Sequence, residues 1–181
     1  MKFKKMRNFI LLMVLSFVAF SCDVPTKQEA EMERAPGFAR TQTGEQYSAN
    51  DANPANLDIW DKYIDAHNNR DLELIASMNI DSTQMGDFRI IASNGQVIRG
   101  SDTQIEFLKG WFEAENPTWR TYFSYTMKVD GQNGEWVISG AEVKRTVDGQ
   151  EVTTYDVADV YIEEGKIGAF WIFRRDAVPT E

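Results

Sequence analysis

"TWRTYFSYTMKVDGQNGEWVISGAEVKRTVDGQEVTTYDVADVYIEEGKIGAFWIFRR", residues 118–175, decides the fold. From Trp119 onward, β-branched and aromatic residues dominate four runs, the signature of strands. The runs are separated by "DGQNG", "DGQ" and "EEG". Asn-Gly and Asp-Gly steps supply the positive φ angles that tight hairpins demand. Four long strands joined by short turns make an antiparallel meander. A shorter pair, "FRIIAS" and "QVIRG" around "NG", forms another hairpin upstream.

Three helices precede or interrupt these strands. In "NPANLDIWDKYIDAHNN", Asn53 suits a cap and Pro54 the first turn. Leu57, Trp60, Ile64 and His67 then fall on one stripe. "NNR" breaks this helix, and Asp71 caps a second, "LELIASM". "SDTQIEFLKGWFEAE" is the third, with Ile105, Leu108, Trp111 and Phe112 at helical spacing and Pro117 ending it. Helices covering one face of an antiparallel sheet make an α+β domain, placed at residues 53–178.

The beginning of the chain reads differently. "MKFKKMR" is basic, the run "NFILLMVLSFVAF" is apolar, and "SC" follows. This is the layout of a secretory signal, residues 1–21. "VAFSC" resembles the lipobox of bacterial lipoproteins, in which the cysteine is lipidated and becomes the first residue of the mature chain. Phe20 departs from the small or polar residue usual there. The resemblance implies a lipid anchor at Cys22 and a location at the bacterial cell envelope, on the extracytoplasmic side. Residues 22–52 are polar and low in aliphatics, and read as a lipidated cysteine followed by a flexible tether. Cys22→Ala should therefore leave the domain folded and move it from the membrane to the soluble fraction, or trap it as precursor. Fractionation and intact mass test this; a soluble wild type with no acyl mass would refute it.

Without residues 1–21 the chain carries 15 Lys and Arg against 28 Asp and Glu, a formal charge of −13. Nucleic acid and further electrostatic attraction to an anionic bilayer are disfavoured by that charge. Cys22 is the only cysteine and His67 the only histidine, so cysteine- or histidine-based metal sites lack partners. No phosphate-binding loop or nucleophile elbow is present, and no cofactor or metal is expected.

The segments "YIDAHNNRDLELIASM", "NGQVIRGSDTQIEFL" and "DVADVYIEEGKIGAFW", in this order, resemble the nuclear transport factor 2-like superfamily, which includes SnoaL-like cyclases and ketosteroid isomerases. The likeness runs from about Leu57 to Arg175. It implies a cone: a curved sheet wrapped around three helices, with a pocket at the open end. Ketosteroid isomerases carry an oxyanion-binding tyrosine on the first helix, where this chain has Tyr63. Their proton-abstracting aspartate maps, nine residues before Gly100, onto Ile91, which cannot take a proton. Asp87, at an even offset from Ile91, shares its face in an unbroken strand but lies too far along to replace the base. A polar residue frequent in SnoaL-like enzymes maps onto Phe170.

Strand alternation divides the remaining candidates. Asp156, Ala158, Val160 and Ile162 share one face, read as inward; Asp156 is then either a buried acid that stays neutral as a donor or a carboxylate at the wet mouth of the cone. Tyr155, Val157, Asp159, Tyr161 and Trp171 fall on the outer face, a candidate homodimer surface. Phe170 and Ile172 point inward, with Arg174 near the rim. His67, near a helix end, reads as structural and stabilised by the helix dipole.

The expected function is a lipid-anchored domain that binds a small, largely apolar molecule without catalysis. Trp60, Tyr63, Ile91, Asp156, Phe170 and Ile172 are its expected pocket residues. The alternatives are a SnoaL-like or isomerase-like enzyme using Tyr63 and Asp156, and a protein-interaction module that dimerises.

Overall fold

Two turns show why the meander closes where it does. Asp148 and Gly149 have φ of 51° and 77°, and Glu164 and Gly165 have 53° and 74°. Paired positive φ angles make two-residue loops whose twist matches that of the flanking strands. They join Val147 to Gln150 and Glu163 to Lys166 in register.

The structure is a computed structural model that describes residues 37–176. The expected signal segment, Cys22 and the first part of the expected tether lie outside these residues. The elements are β1 (Gly37–Arg40), β2 (Gln46–Asn50), α1 (Ala55–Asn68), α2 (Leu72–Met78), β3 (Ser82–Thr83), β4 (Gly86–Asp87), β5 (Arg89–Ile91), β6 (Val97–Arg99), α3 (Ser101–Glu115), β7 (Thr118–Val129), β8 (Glu135–Val147), β9 (Gln150–Glu163) and β10 (Lys166–Arg175). One sheet has the order β1-β2-β7-β8-β9-β10-β5-β6, and β3 and β4 pair separately. β5 runs parallel to β10; the other pairs are antiparallel. Register shifts between Thr121 and Phe123 in β7, and between Ile167 and Ala169 in β10, bend the two long strands. The α+β class follows, as the sequence indicated: a curved, mainly antiparallel sheet with three helices packed on its inner face.

The first helix starts as its sequence suggests. Asn53 Oδ1 accepts from the Ala55 N–H at 3.0 Å, and Pro54 adopts helical angles. Glu135 on β8 accepts from the Asn53 N–H and from Asn56 Nδ2, which ties this helix end to the sheet. Arg70, at φ 61°, reverses the chain after α1, and Asp71 Oδ1 caps α2 by accepting from the Leu74 N–H at 2.9 Å. The core lies between α1, α3 and the sheet, and includes Ile64, Ile75, Leu108, Val137 and Val160.

Two expectations are corrected here. Residues 37–50 are not a tether: β1 and β2 form a hairpin whose second strand pairs with β7 through Ala49–Val129 and Asn50–Lys128. The folded unit therefore begins at least sixteen residues before position 53. The second concerns Tyr161. It belongs to the outer face but is fully buried, because Trp136 packs on its ring and Gly134 lies against it, donating its N–H to the tyrosine hydroxyl at 2.7 Å. The β3–β4 turn adds to this cover, since Gln84 bonds both Gly131 and Asn133.

Candidate ligand-binding site

A cavity of about 370 Å³ opens between α1, α3 and the inner faces of β5, β6 and β7–β10. That lies at the small end of ligand-sized pockets, roughly 300–1,000 Å³. One face of α1 supplies Trp60, Tyr63 and His67, and β10 supplies Phe170, Ile172 and Arg174. Phe170 meets Trp60 and Tyr63 edge-on, with centroids 5.7 and 6.2 Å away. Asp156 and Ala158 come from β9, and Phe107 and Trp111 from α3 border the outer part.

Of the expected pocket residues, Trp60, Tyr63, Asp156, Phe170 and Ile172 border this cavity, and Ile91 does not. The wall residue on β5 is its neighbour Ile90. The reason is register: Ile90 pairs with inward Phe170, so Ile91 pairs with outward Trp171. Asp87 is exposed and paired with Ser82 in β4, away from the cavity. The inward position on β5 is still apolar and supplies no base.

Tyr63 is fully buried, and its hydroxyl is not a free donor. It donates to Asn79 Oδ1 at 3.0 Å and accepts from Gln104 Nε2 at 2.7 Å. Asn79 Nδ2 in turn donates to Gln104 Oε1 and Ser101 Oγ at 2.7 and 2.8 Å. Burial pushes the Tyr63 phenol well above its ordinary range, although both amides pull the other way. Neither amide was legible as a partner. Gln104 sits one turn before Leu108 on the buried stripe of α3, where a polar residue is itself a signal; Asn79 merely follows α2.

Asp156 is 8% exposed and held by a two-pronged ion pair: Arg174 Nε and Nη2 donate to its two oxygens at 2.9 and 2.7 Å. Both oxygens of Asp156 thus act as acceptors, in line with the carboxylate alternative and not with a neutral donor. Beside it, Glu115 accepts from Trp111 Nε1 and Arg145 Nη1, both at 2.9 Å. Burial would raise the Glu115 pKa, but these two bonds together with the charges of Arg145 and Arg174 outweigh it and hold the group below its ordinary range. Asp159, on the outer face, is pushed upward by burial.

His67 departs from the sequence reading in its charge. It is 6% exposed, with Tyr63 and Trp119 rings at 4.6 and 5.5 Å. Burial lowers its pKa to about 4 against the ordinary 6.5, with Arg70 adding in the same direction. Desolvation therefore outweighs any dipole stabilisation of the cation. Nδ1 lies 2.7 Å from the Tyr63 carbonyl oxygen. A carbonyl only accepts, so Nδ1 carries the proton and Nε2 the lone pair.

No protein-family model matches the sequence, and no curated protein does. Solved structures do match in shape. A candidate SnoaL-like polyketide cyclase from Jannaschia sp. CCS1 aligns at TM-score 0.54 and 18% identity, over 68% of this chain and 90% of that one. An LEH-like epoxide hydrolase of M. tuberculosis aligns at 0.54 and 10% identity, over 66% and 82%. An NTF2-like protein of unknown function from Burkholderia pseudomallei K96243 aligns at 0.51 and 16%, over 67% and 91%. The domain has the nuclear transport factor 2-like fold, a scaffold that hosts unrelated activities. Within that fold, what the cavity does depends on its own side chains.

Proposed function

We propose that the domain binds a small, largely apolar molecule in its cone cavity and performs no chemistry on it. The observation that carries this reading is the state of Tyr63 and Asp156, the two groups that the SnoaL-like or isomerase-like alternative would use. The Tyr63 hydroxyl is saturated by Asn79 and Gln104, and both Asp156 oxygens are engaged by Arg174. An oxyanion donor must be free to turn toward the substrate, and a general acid must release a proton; neither group is so placed. The surrounding wall, from Ile90, Ile98, Phe170 and Ile172, favours apolar surface. The lipid anchor expected at Cys22 belongs to this proposal and would hold the domain at the cell envelope.

Native mass spectrometry of protein from its own host tests the reading. Wild type should carry a small-molecule mass, and Ala158→Trp, which fills the cavity from β9, should lose it. A wild type with no added mass that also fails to brighten an apolar environment-sensitive dye would sink it.

A second reading rests on a separate surface. Phe123, Gly140, Val157 and Phe173 lie in one row across β7, β8, β9 and β10. Phe173 is 57% exposed, and Tyr125, stacked beside Phe123 with ring centroids 6.4 Å apart, is 53% exposed. Gly140 leaves room for the Phe123 ring, which a β-carbon there would strike. An exposed aromatic patch on the outer face of a sheet suits a second copy of the chain. Sedimentation should show a dimer that Phe173→Lys returns to monomer; a wild-type monomer at high concentration would eliminate the reading.

A further inference from the structure

The sealed polar atoms of the interior are Trp60 Nε1, Arg145 Nε and Thr154 Oγ1, each buried without a partner among the described residues. His67 Nε2 is different. It has no partner among the described residues either, yet it is not sealed. The open space that His67 borders is the cavity. Its ring is fixed, because Nδ1–H is spent on the Tyr63 carbonyl and Tyr63, Phe112 and Trp119 pack around it. A lone pair is thus held in place among aromatic rings. Two other polar groups on the cavity wall are held: Tyr63 by its two amides, and Ser139 Oγ by Ser124 Oγ at 2.8 Å.

We propose that His67 is the recognition group of the cavity, its neutral imidazole accepting at Nε2 a hydrogen bond from the hydroxyl of an otherwise apolar alcohol or phenol. This rests on the reading that the cavity binds a ligand, and names the ligand's chemical class. A carboxylate has no proton to offer Nε2, and a hydrocarbon leaves the acceptor unpaired. A hydroxyl satisfies it while the rest of the molecule lies against Ile90, Ile98 and Phe170. A buried acceptor left without its donor is costly, so discrimination against an analogue lacking the hydroxyl is strong.

The test compares 4-propylphenol with 4-propylanisole, which have similar bodies but differ in the donor. The phenol should bind about tenfold more tightly, the equivalent of one well-placed hydrogen bond. His67 is the only histidine, so a ¹⁵N spectrum contains a single imidazole. Its Nε2 resonance should move with the phenol and stay with the anisole. His67→Phe should bind both with equal affinity. Equal binding by wild type with an unmoved Nε2 resonance would overturn the role of His67 and leave cavity binding intact. Binding of neither probe would overturn both readings. The wild-type comparison decides even where the variant fails to fold.

Discussion

Tyr63→Phe is expected to destabilise the domain by about 2–4 kcal/mol, because two buried amides lose a partner at once. Gln104 Nε2 would lose its acceptor and Asn79 Oδ1 its donor. Both residues are buried, at 1% exposure for Gln104 and 7% for Asn79. Removing the hydroxyl leaves the shape of the core intact, so the loss comes from unpaired polar groups and not from a cavity. Chemical denaturation of wild type and variant checks the value. A triple replacement, Tyr63→Phe with Asn79→Leu and Gln104→Leu, should recover part of the loss, since it removes the orphaned groups as well. A Tyr63→Phe variant of unchanged stability that had lost a measurable turnover would instead restore the enzymatic reading.

The same network marks the boundary of what the sequence discloses. Helices and meander strands were legible because their apolar spacing and Asp-Gly or Glu-Gly turns are local signals. Asp71 was readable as a cap for the same reason, its bonded partner Leu74 being three residues away. The Tyr63 network spans 16 and 41 residues to Asn79 and Gln104, and nothing local announces it. Strand parity worked on the long β9, where alternation repeats several times. Ile91 was instead placed by counting back from Gly100 in the resembled motif, and a one-residue error over that distance turned it to the opposite face of β5, a strand of three residues. The β1–β2 hairpin escaped notice for another reason: Ala49 is its only buried residue, so backbone pairing with β7 holds it without an apolar pattern.

Acid should weaken the fold earlier than carboxylate protonation alone would, through His67. Its pKa is about 4 in the folded protein, against 6.5 for an ordinary histidine. Between these values the unfolded chain takes up a proton that the folded chain refuses. Stability is therefore full above pH 6.5, falls as the pH drops toward 4, and levels off below that for this group. The accumulated loss is about 3 kcal/mol. Glu115 acts in a different window: its folded pKa is held below the ordinary 4.5, so its contribution is present above that value and disappears below it. The two can be separated by His67→Phe, which places another ring in the aromatic site but cannot titrate. The variant should show a flat unfolding midpoint from pH 7 to 5, whereas the wild type slopes downward. The imidazole resonance of the folded wild type should show no protonation in the same interval. A wild type with no slope, whose imidazole titrates near pH 6.5, would mean that water in the cavity solvates the ring and that burial does not govern its charge.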